Sequence, residues 1–358
     1  MGVAAVAGVA VAATLCLSGC ANLGYYWQSV TGHLKIMGAA QPVEELVTEP
    51  QLAPRLRERL LLSQRIRQYA SRELKLPDNP SYTRYADLHR SAAIFNVTAA
   101  PIYSLDLKTW CFPITGCIGY RGYYDEGKAR AEAAELSQQG YEVNVYPVTA
   151  YSTLGYMNWA GGDPLLNTFV NYPEGELARL IFHELAHQVV YAKNDTTFNE
   201  SFATAVERLG GARWLQTHAT EQARQEYADF DARRRMFREL SRTVRERLKA
   251  LYETPGLSPD AKADGKRRIM EQFRADYEAM KARSGFDAAR WRGYDRWVRE
   301  ANNAFFGAQA AYDELVPGLE ALFHANGDDW QRFYDAARQL ARLPKEERHR
   351  KLKEISVG

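Results

Sequence analysis

The chain has 358 residues, 46% hydrophobic and 25% charged, which is the balance of a folded protein and excludes wholesale disorder. Its 46 basic and 44 acidic residues leave a net charge of +2, which removes the electrostatic case for a nucleic-acid partner. Four cysteines are too few for a disulfide-dense scaffold, and the length suits two domains or one with large insertions. In chain order, residues 2–19 form an uncharged run of small and apolar side chains. Residues 22–75 are expected to be helical: Leu56, Leu60, Ile66, Tyr69 and Leu74 recur at helical spacing among Arg and Glu, and Pro77-Asp78-Asn79-Pro80 stops the pattern. Short aromatic and β-branched runs at 92–97, 102–107 and 118–124 predict strands. A helix over 126–139 stopped by Gly140 follows, then a strand over 141–151. Acidic residues after Pro173 start a helix expected to reach residue 193; Asn194-Asp195 breaks it, and another helix covers 198–209. From 213 to 284, Tyr227, Phe230, Phe237, Leu240, Val244, Leu248 and Leu251 recur three and four apart in a highly charged background. That pattern predicts a long amphipathic hairpin turning at 255–259, with shorter helices over 288–354.

The fold class read from this order is α+β and predominantly helical. It has a small mixed sheet packed on the helices at 176–209, and the long charged hairpin beyond. The expected divisions are a signal peptide at 1–19, an N-terminal helical segment at 20–91, an α+β core at 92–211, and a helical region at 212–358.

The apolar run closes on Leu17-Ser18-Gly19-Cys20, and an apolar run ending in small residues is the pattern of a secretory signal. The tetrapeptide resembles a bacterial lipobox, which implies lipid on Cys20, a membrane anchor and a periplasm-facing envelope location. A short transmembrane anchor is the plainer alternative. Ala21 follows, with no Asp to resemble an inner-membrane retention signal, so the outer membrane is the expected destination. No Lys or Arg precedes the run, so the true translation start is expected upstream of Met1. Export permits disulfides, and Cys111-Phe112-Pro113-Ile114-Thr115-Gly116-Cys117 carries the Pro and Gly of a turn. A bridge between Cys111 and Cys117 is expected, two packed thiols being the alternative.

The chemistry concentrates in His183-Glu184-Leu185-Ala186-His187. Histidines four apart share one helix face, so both rings can reach one zinc ion. Leu180, Ile181, Phe182, Val189 and Val190 make the rest of the helix apolar, and buried imidazoles there need partners, which a metal supplies. Glu184, beside the first histidine, is placed to act as general base on a water. Zinc in a hydrolase takes a third protein ligand. Phe198-Asn199-Glu200-Ser201-Phe202-Ala203 offers Glu200 after the Asn194-Asp195 break. Glu207, two turns further on, is either an alternative ligand or a carboxylate that orients a histidine ring. Tyr151, Tyr156 and Arg121 are the candidate oxyanion donors, and His89 and His218 read as structural or surface residues.

HELAH followed by NESFA resembles the zinc peptidases whose third ligand is a glutamate, the thermolysin-like group. The chain is more similar still to a bacterial lipoprotein family named for aminopeptidases. That likeness runs through Tyr25-Tyr26-Trp27-Gln28, Trp110-Cys111-Phe112-Pro113, Tyr120-Arg121-Gly122-Tyr123, Ala150-Tyr151-Ser152-Thr153-Leu154-Gly155 and Asp163-Pro164-Leu165-Leu166 to the two helices. It implies one zinc ion on His183, His187 and Glu200, Glu184 as base, and a peptide substrate. A zinc endopeptidase is one alternative. Another is a non-catalytic envelope scaffold that binds a protein partner through the helical hairpin.

Overall fold

The computed structural model describes residues 24–112, 115–150 and 152–356, so the apolar run at 2–19, Cys20 and Tyr151 lie outside the described residues. Helix α1 covers 24–39. After it come β1 (Gln41–Pro42), α2 (Val43–Leu46), α3 (Pro54–Arg72), β2 (Arg84–Ala86), β3 (Ile94–Pro101), β4 (Trp110–Phe112), β5 (Gly116–Ile118) and β6 (Arg121–Tyr123). Helix α4 (Glu126–Gln138), β7 (Tyr141–Val148) and β8 (Leu165–Leu166) lead to α5 (Glu174–Ala186) and α6 (Thr196–Thr217). Then come α7 (Glu221–Glu253), α8 (Pro259–Arg283), α9 (Arg292–Glu300), α10 (Asn303–Asp313), α11 (Val316–Ala325), α12 (Trp330–Ala341) and α13 (Lys345–Ile355). Helix makes up 62% of the described residues and the sheets among them have two or three strands, so the chain is the predominantly helical α+β fold expected.

Strand β3 is central to an antiparallel sheet, with β6 on one side and β7 on the other. Its reach to the helices at 174–217 runs through α10, which packs on β3, β7 and α6. A second sheet pairs β2 antiparallel with β1 and parallel with β8. Asp125 caps α4 by accepting from the Lys128 N–H, satisfying one of the donors that a helix start leaves open. Gly140, at φ +86°, ends that helix as expected.

Three expectations change. Residues 102–107 are not a strand: Pro101 ends β3, and the Ser104 N–H turns back to the Pro101 carbonyl. The alternating apolar residues there serve loop docking, with Tyr103 and Leu105 packed against the hairpin cluster and Leu107 against Gly119 and Gly307. Helix α5 stops at Ala186 instead of reaching 193, because the Asn199 side chain captures the Ala192 N–H and C=O, at 2.7 and 2.9 Å, and forces the chain to reverse. The division at 211/212 falls inside α6. One core runs from Ile36 through Leu60, Phe182, Phe202 and Phe333 to Leu352, so the N-terminal, middle and C-terminal parts share it.

The hairpin of α7 and α8 turns at Gly256, φ +73°, and Ser258 caps α8. Its apolar stripe closes over a second core with Phe237, Val244, Leu248, Phe273, Tyr277, Trp291 and Phe306. Full burial of a side chain such as Phe273 contributes about 2–3 kcal/mol. The hairpin is therefore packed on the body along much of its length.

Candidate metal centre

Helices α5 and α6 bury Leu177, Ile181, Phe182 and Leu185 against Phe198, Phe202, Ala203 and Val206. They run antiparallel: Trp214 Nε1 donates to Glu174, Arg179 lies against Gly211, and His183 faces Glu207. A Cβ on Gly211 would come within 2.7 Å of the Arg179 side chain, so glycine there leaves a channel for the guanidinium. This register brings Glu200 back over the two histidines. Asp195 starts α6 by accepting from the Phe198 N–H, and is itself held by Arg348 and by His349 at 2.9 Å.

His183 Nε2 and His187 Nε2 stand 3.2 Å apart, and Glu200 Oε2 lies 3.3 Å from the first and 3.7 Å from the second. Tetrahedral zinc with ligand distances near 2.1 Å requires donor–donor separations of about 3.4 Å. The three atoms therefore fit three corners of such a polyhedron. Two imidazole nitrogens and a carboxylate oxygen facing one another concentrate lone pairs in one buried spot, which favours a cation at its centre. Among the described residues this is the one group of metal-ligating side chains assembled so closely.

Charge around the cluster is graded. Burial holds His187 down to about 4, leaving its imidazole neutral and able to ligate. Burial also opposes the charged form of His183, but hydrogen bonds to Glu200 and Glu207 outweigh it and raise that group well above its ordinary value. Glu200 and Glu207 are both pulled below the usual carboxylate range against their burial, Glu200 chiefly by the histidines and Glu207 chiefly by Arg179. Burial pushes the Glu184 carboxyl up to about 7 despite His183, with Glu200 and Asp163 adding to the rise.

Glu207 is not in the ligand triangle. Its Oε2 meets His183 Nδ1 at 3.0 Å while Oε1 accepts from Arg179, so it fixes the ring that presents Nε2 inward. Arg179 continues the chain of contacts to Tyr227 on α7 and to Glu176, whose carboxylate also accepts two hydrogen bonds from Arg234 on α7.

The loop after α5 is buttressed from outside. A disulfide joins Cys111 and Cys117 across the β4–β5 pair. Asn194 Oδ1 accepts from the Cys117 N–H, and Tyr191 donates to the Thr115 carbonyl. Gly116, at φ +75°, is in the left-handed region, and a Cβ there would lie 2.2 Å from Asn194 Oδ1. On the opposite side, Gln188 is fixed by Asn79 and Ser81, and Asp163 accepts from the Thr153 N–H while burial raises its carboxyl to about 6.

Of the two expected oxyanion donors among the described residues, Arg121 and Tyr156, neither is found at the cluster. Tyr151 is outside the described residues. Arg121 lies on the α4 side of the sheet, paired with Glu132 at 3.2 Å and stacked on Tyr25, so its charge is already neutralised. Tyr156 stands 60% exposed on a turn, close enough to affect Tyr191 but apart from the ligands. Four other tyrosines feel the Glu200 charge instead. Tyr120, Tyr146 and Tyr191 are raised by burial and by the Glu200 charge, the last two to about 12; Tyr312 is raised well above its ordinary value, chiefly by Glu200. All four hydroxyls therefore keep their protons. Tyr146 accepts from Asn96, and Tyr191 is committed to Thr115. The Tyr312 ring stacks 6.3 Å from that of His183. His218 stacks on Trp214, and His89 is exposed; neither belongs to the group of His183, His187 and Glu200.

No curated protein and no solved structure matches the chain. A family described as "Putative aminopeptidase" matches residues 24–352. That span takes in both cores, the sheets and every side chain of the cluster, and on it the chain belongs to this aminopeptidase family.

Proposed function

We propose that the chain is a zinc-dependent aminopeptidase of the thermolysin-like type, acting on short peptides. It is held in the bacterial cell envelope by lipid on Cys20 and faces the periplasm from the outer membrane. The observation that carries the catalytic part is the triangle of His183 Nε2, His187 Nε2 and Glu200 Oε2, with edges of 3.2 to 3.7 Å and Glu184 on the adjoining turn. His183, His187 and Glu200 hold the ion, which when bound supplies Lewis-acid activation of water and of the peptide carbonyl. Glu184 accepts a proton from the attacking water as its oxygen bonds to the carbonyl carbon. It then delivers that proton to the amine nitrogen as the C–N bond breaks. A carboxyl near neutrality suits both transfers. Tyr120 and Tyr312, protonated and beside the Glu200 and Glu184 charges, donate to the developing oxyanion. Strand β7 is the outer strand of its sheet and brings Tyr146 to the cluster, so an extended peptide can pair along it beyond Val143, whose carbonyl Asn302 occupies.

The test is zinc content and hydrolysis of a mixed peptide library, before and after chelation. Glu184→Gln is expected to keep stoichiometric zinc and lose about two to four decades of turnover. Full activity in Glu184→Gln, or activity indifferent to chelation, would remove the metallopeptidase reading.

A further inference from the structure

Helix α1 presents two unlike faces. Inward, Tyr25 packs on Phe112 and Tyr123, Gln28 bonds to the Gly122 carbonyl and the Tyr124 N–H, Gly32 lies under the Tyr124 ring, and Ile36 is buried; Met37, in line with the outward residues but at the helix end, is buried as well. Outward stand Tyr26, Trp27, Val30 and Leu34, with Trp27 71% and Leu34 58% exposed. At about 100° per residue these four fall within a single arc of roughly 100°, and no charged residue interrupts it. An indole and a phenol beside aliphatic side chains is the composition of a helix face lying in a membrane interface.

The position in the chain selects the occupant. The apolar run at 2–19 and Cys20 immediately precede α1, and the four-residue step from Cys20 to residue 24 spans at most about 14 Å. Whichever hydrophobic group holds the chain to a bilayer there, α1 cannot be far from its surface. No helix among the described residues is long and apolar enough to cross a membrane, so α1 can lie on one but not span it.

We infer that the Tyr26, Trp27, Val30 and Leu34 face of α1 docks on the phospholipid surface, seating the metallopeptidase body flat against the membrane instead of on a free tether. The inference rests on the envelope-anchored part of the reading above. A helix of this length, about 24 Å, gives a second contact that a lone acyl anchor lacks and fixes the body's orientation.

The experiment uses the full chain, produced with its leader in a bacterial host and reconstituted into phosphatidylethanolamine–phosphatidylglycerol vesicles. These carry lipids brominated near the top of the acyl chains. The chain has seven tryptophans, so Trp27 is read as the difference between wild type and Trp27→Phe. That component is expected to be quenched by about half or more, and Leu34→Glu, on an exposed position, should restore most of it with the melting midpoint unchanged. A vesicle-bound protein whose Trp27 component is unquenched overturns the inference, and so does a leader folded over the face, which gives that same result. Sedimentation in detergent showing a dimer that Leu34→Glu dissociates also overturns it, because a second copy would then cover the face. The mass of the N-terminal fragment separates the two claims. Quenching with unmodified Cys20 keeps the docking and removes the lipoprotein; lipidated Cys20 without quenching does the reverse.

Discussion

Glu207→Gln separates holding the metal from holding the fold. The substitution keeps the side chain's size but removes the charge that faces two groups at once, His183 Nδ1 at 3.0 Å and the Arg179 guanidinium. Side-chain exposure is 6% for Arg179 and 16% for Glu207, so the pair is largely shielded from water. Breaking such a pair from one side costs about 3–5 kcal/mol, and the lower end applies here because Glu176, 3.9 Å away, still compensates Arg179 in part. At roughly 2 °C per kcal/mol for a chain of this size, the metal-free melting midpoint should fall by about 6 °C. Zinc affinity should fall by about 10–100-fold, since His183 loses the partner that orients its ring and raises its basicity. The assay pairs thermal melts in chelator with zinc competition against a chromophoric chelator. The double variant Arg179→Met with Glu207→Gln, which also removes the stranded cation, should recover most of the melting loss and none of the zinc affinity. Wild-type zinc affinity in Glu207→Gln would refute the reasoning and leave Glu207 as one half of a structural ion pair.

Other outcomes follow from the same geometry. Tyr312→Phe and Tyr120→Phe should retain zinc and lower kcat by about 10–1,000-fold at the position that donates to the oxyanion, with little change in KM; unaltered kcat in both would remove tyrosine from that role. The folded pKa of Asp195 is lowered: burial raises it, but His349, the Phe198 N–H and Arg348 together outweigh that. Its stabilisation is therefore complete above the unfolded aspartate value of about 3.9 and is lost as pH falls through the lower folded value. Urea midpoints of Asp195→Asn, lower at neutral pH, should converge on wild type in acid; parallel curves would refute this. Cys111→Ser with Cys117→Ser should cost about 2 kcal/mol by loop entropy, read as a melting shift that reductant reproduces in wild type. No shift in either would show the bridge to be idle.

What could be read from the sequence follows from how locally each feature is encoded. His183 and His187 are one helical turn apart, and Glu200 and Glu207 lie two turns apart on the next helix, so periodicity alone brings them to shared faces. The amphipathic hairpin is legible for the same reason. The tyrosines are not. Tyr120, Tyr146, Tyr191 and Tyr312 come from a strand connection, a strand, the reversal after α5 and a late helix, and only the tertiary fold makes them neighbours. The chain's 21 tyrosines carry no addresses in the sequence. Residues 102–107 misled because apolar residues that dock a loop on a helix can alternate as a strand's do. The early end of α5 depends on Asn199, a side chain that acts backwards across the break it follows.

The clamp on Asp195 has a consequence for the order in which the protein is made. Arg348 lies 153 positions after the residue it holds, and that residue starts the helix bearing Glu200. At the usual 5–20 residues per second, the ribosome supplies the clamp roughly 10–30 s after the histidines have been polymerised. During that interval the start of the Glu200 helix is without its anchor, and the last ligand without a fixed place. A nascent chain therefore carries the two histidines of the candidate site while its third corner is not yet held, and the finished cluster is deferred until the C-terminal helices have packed.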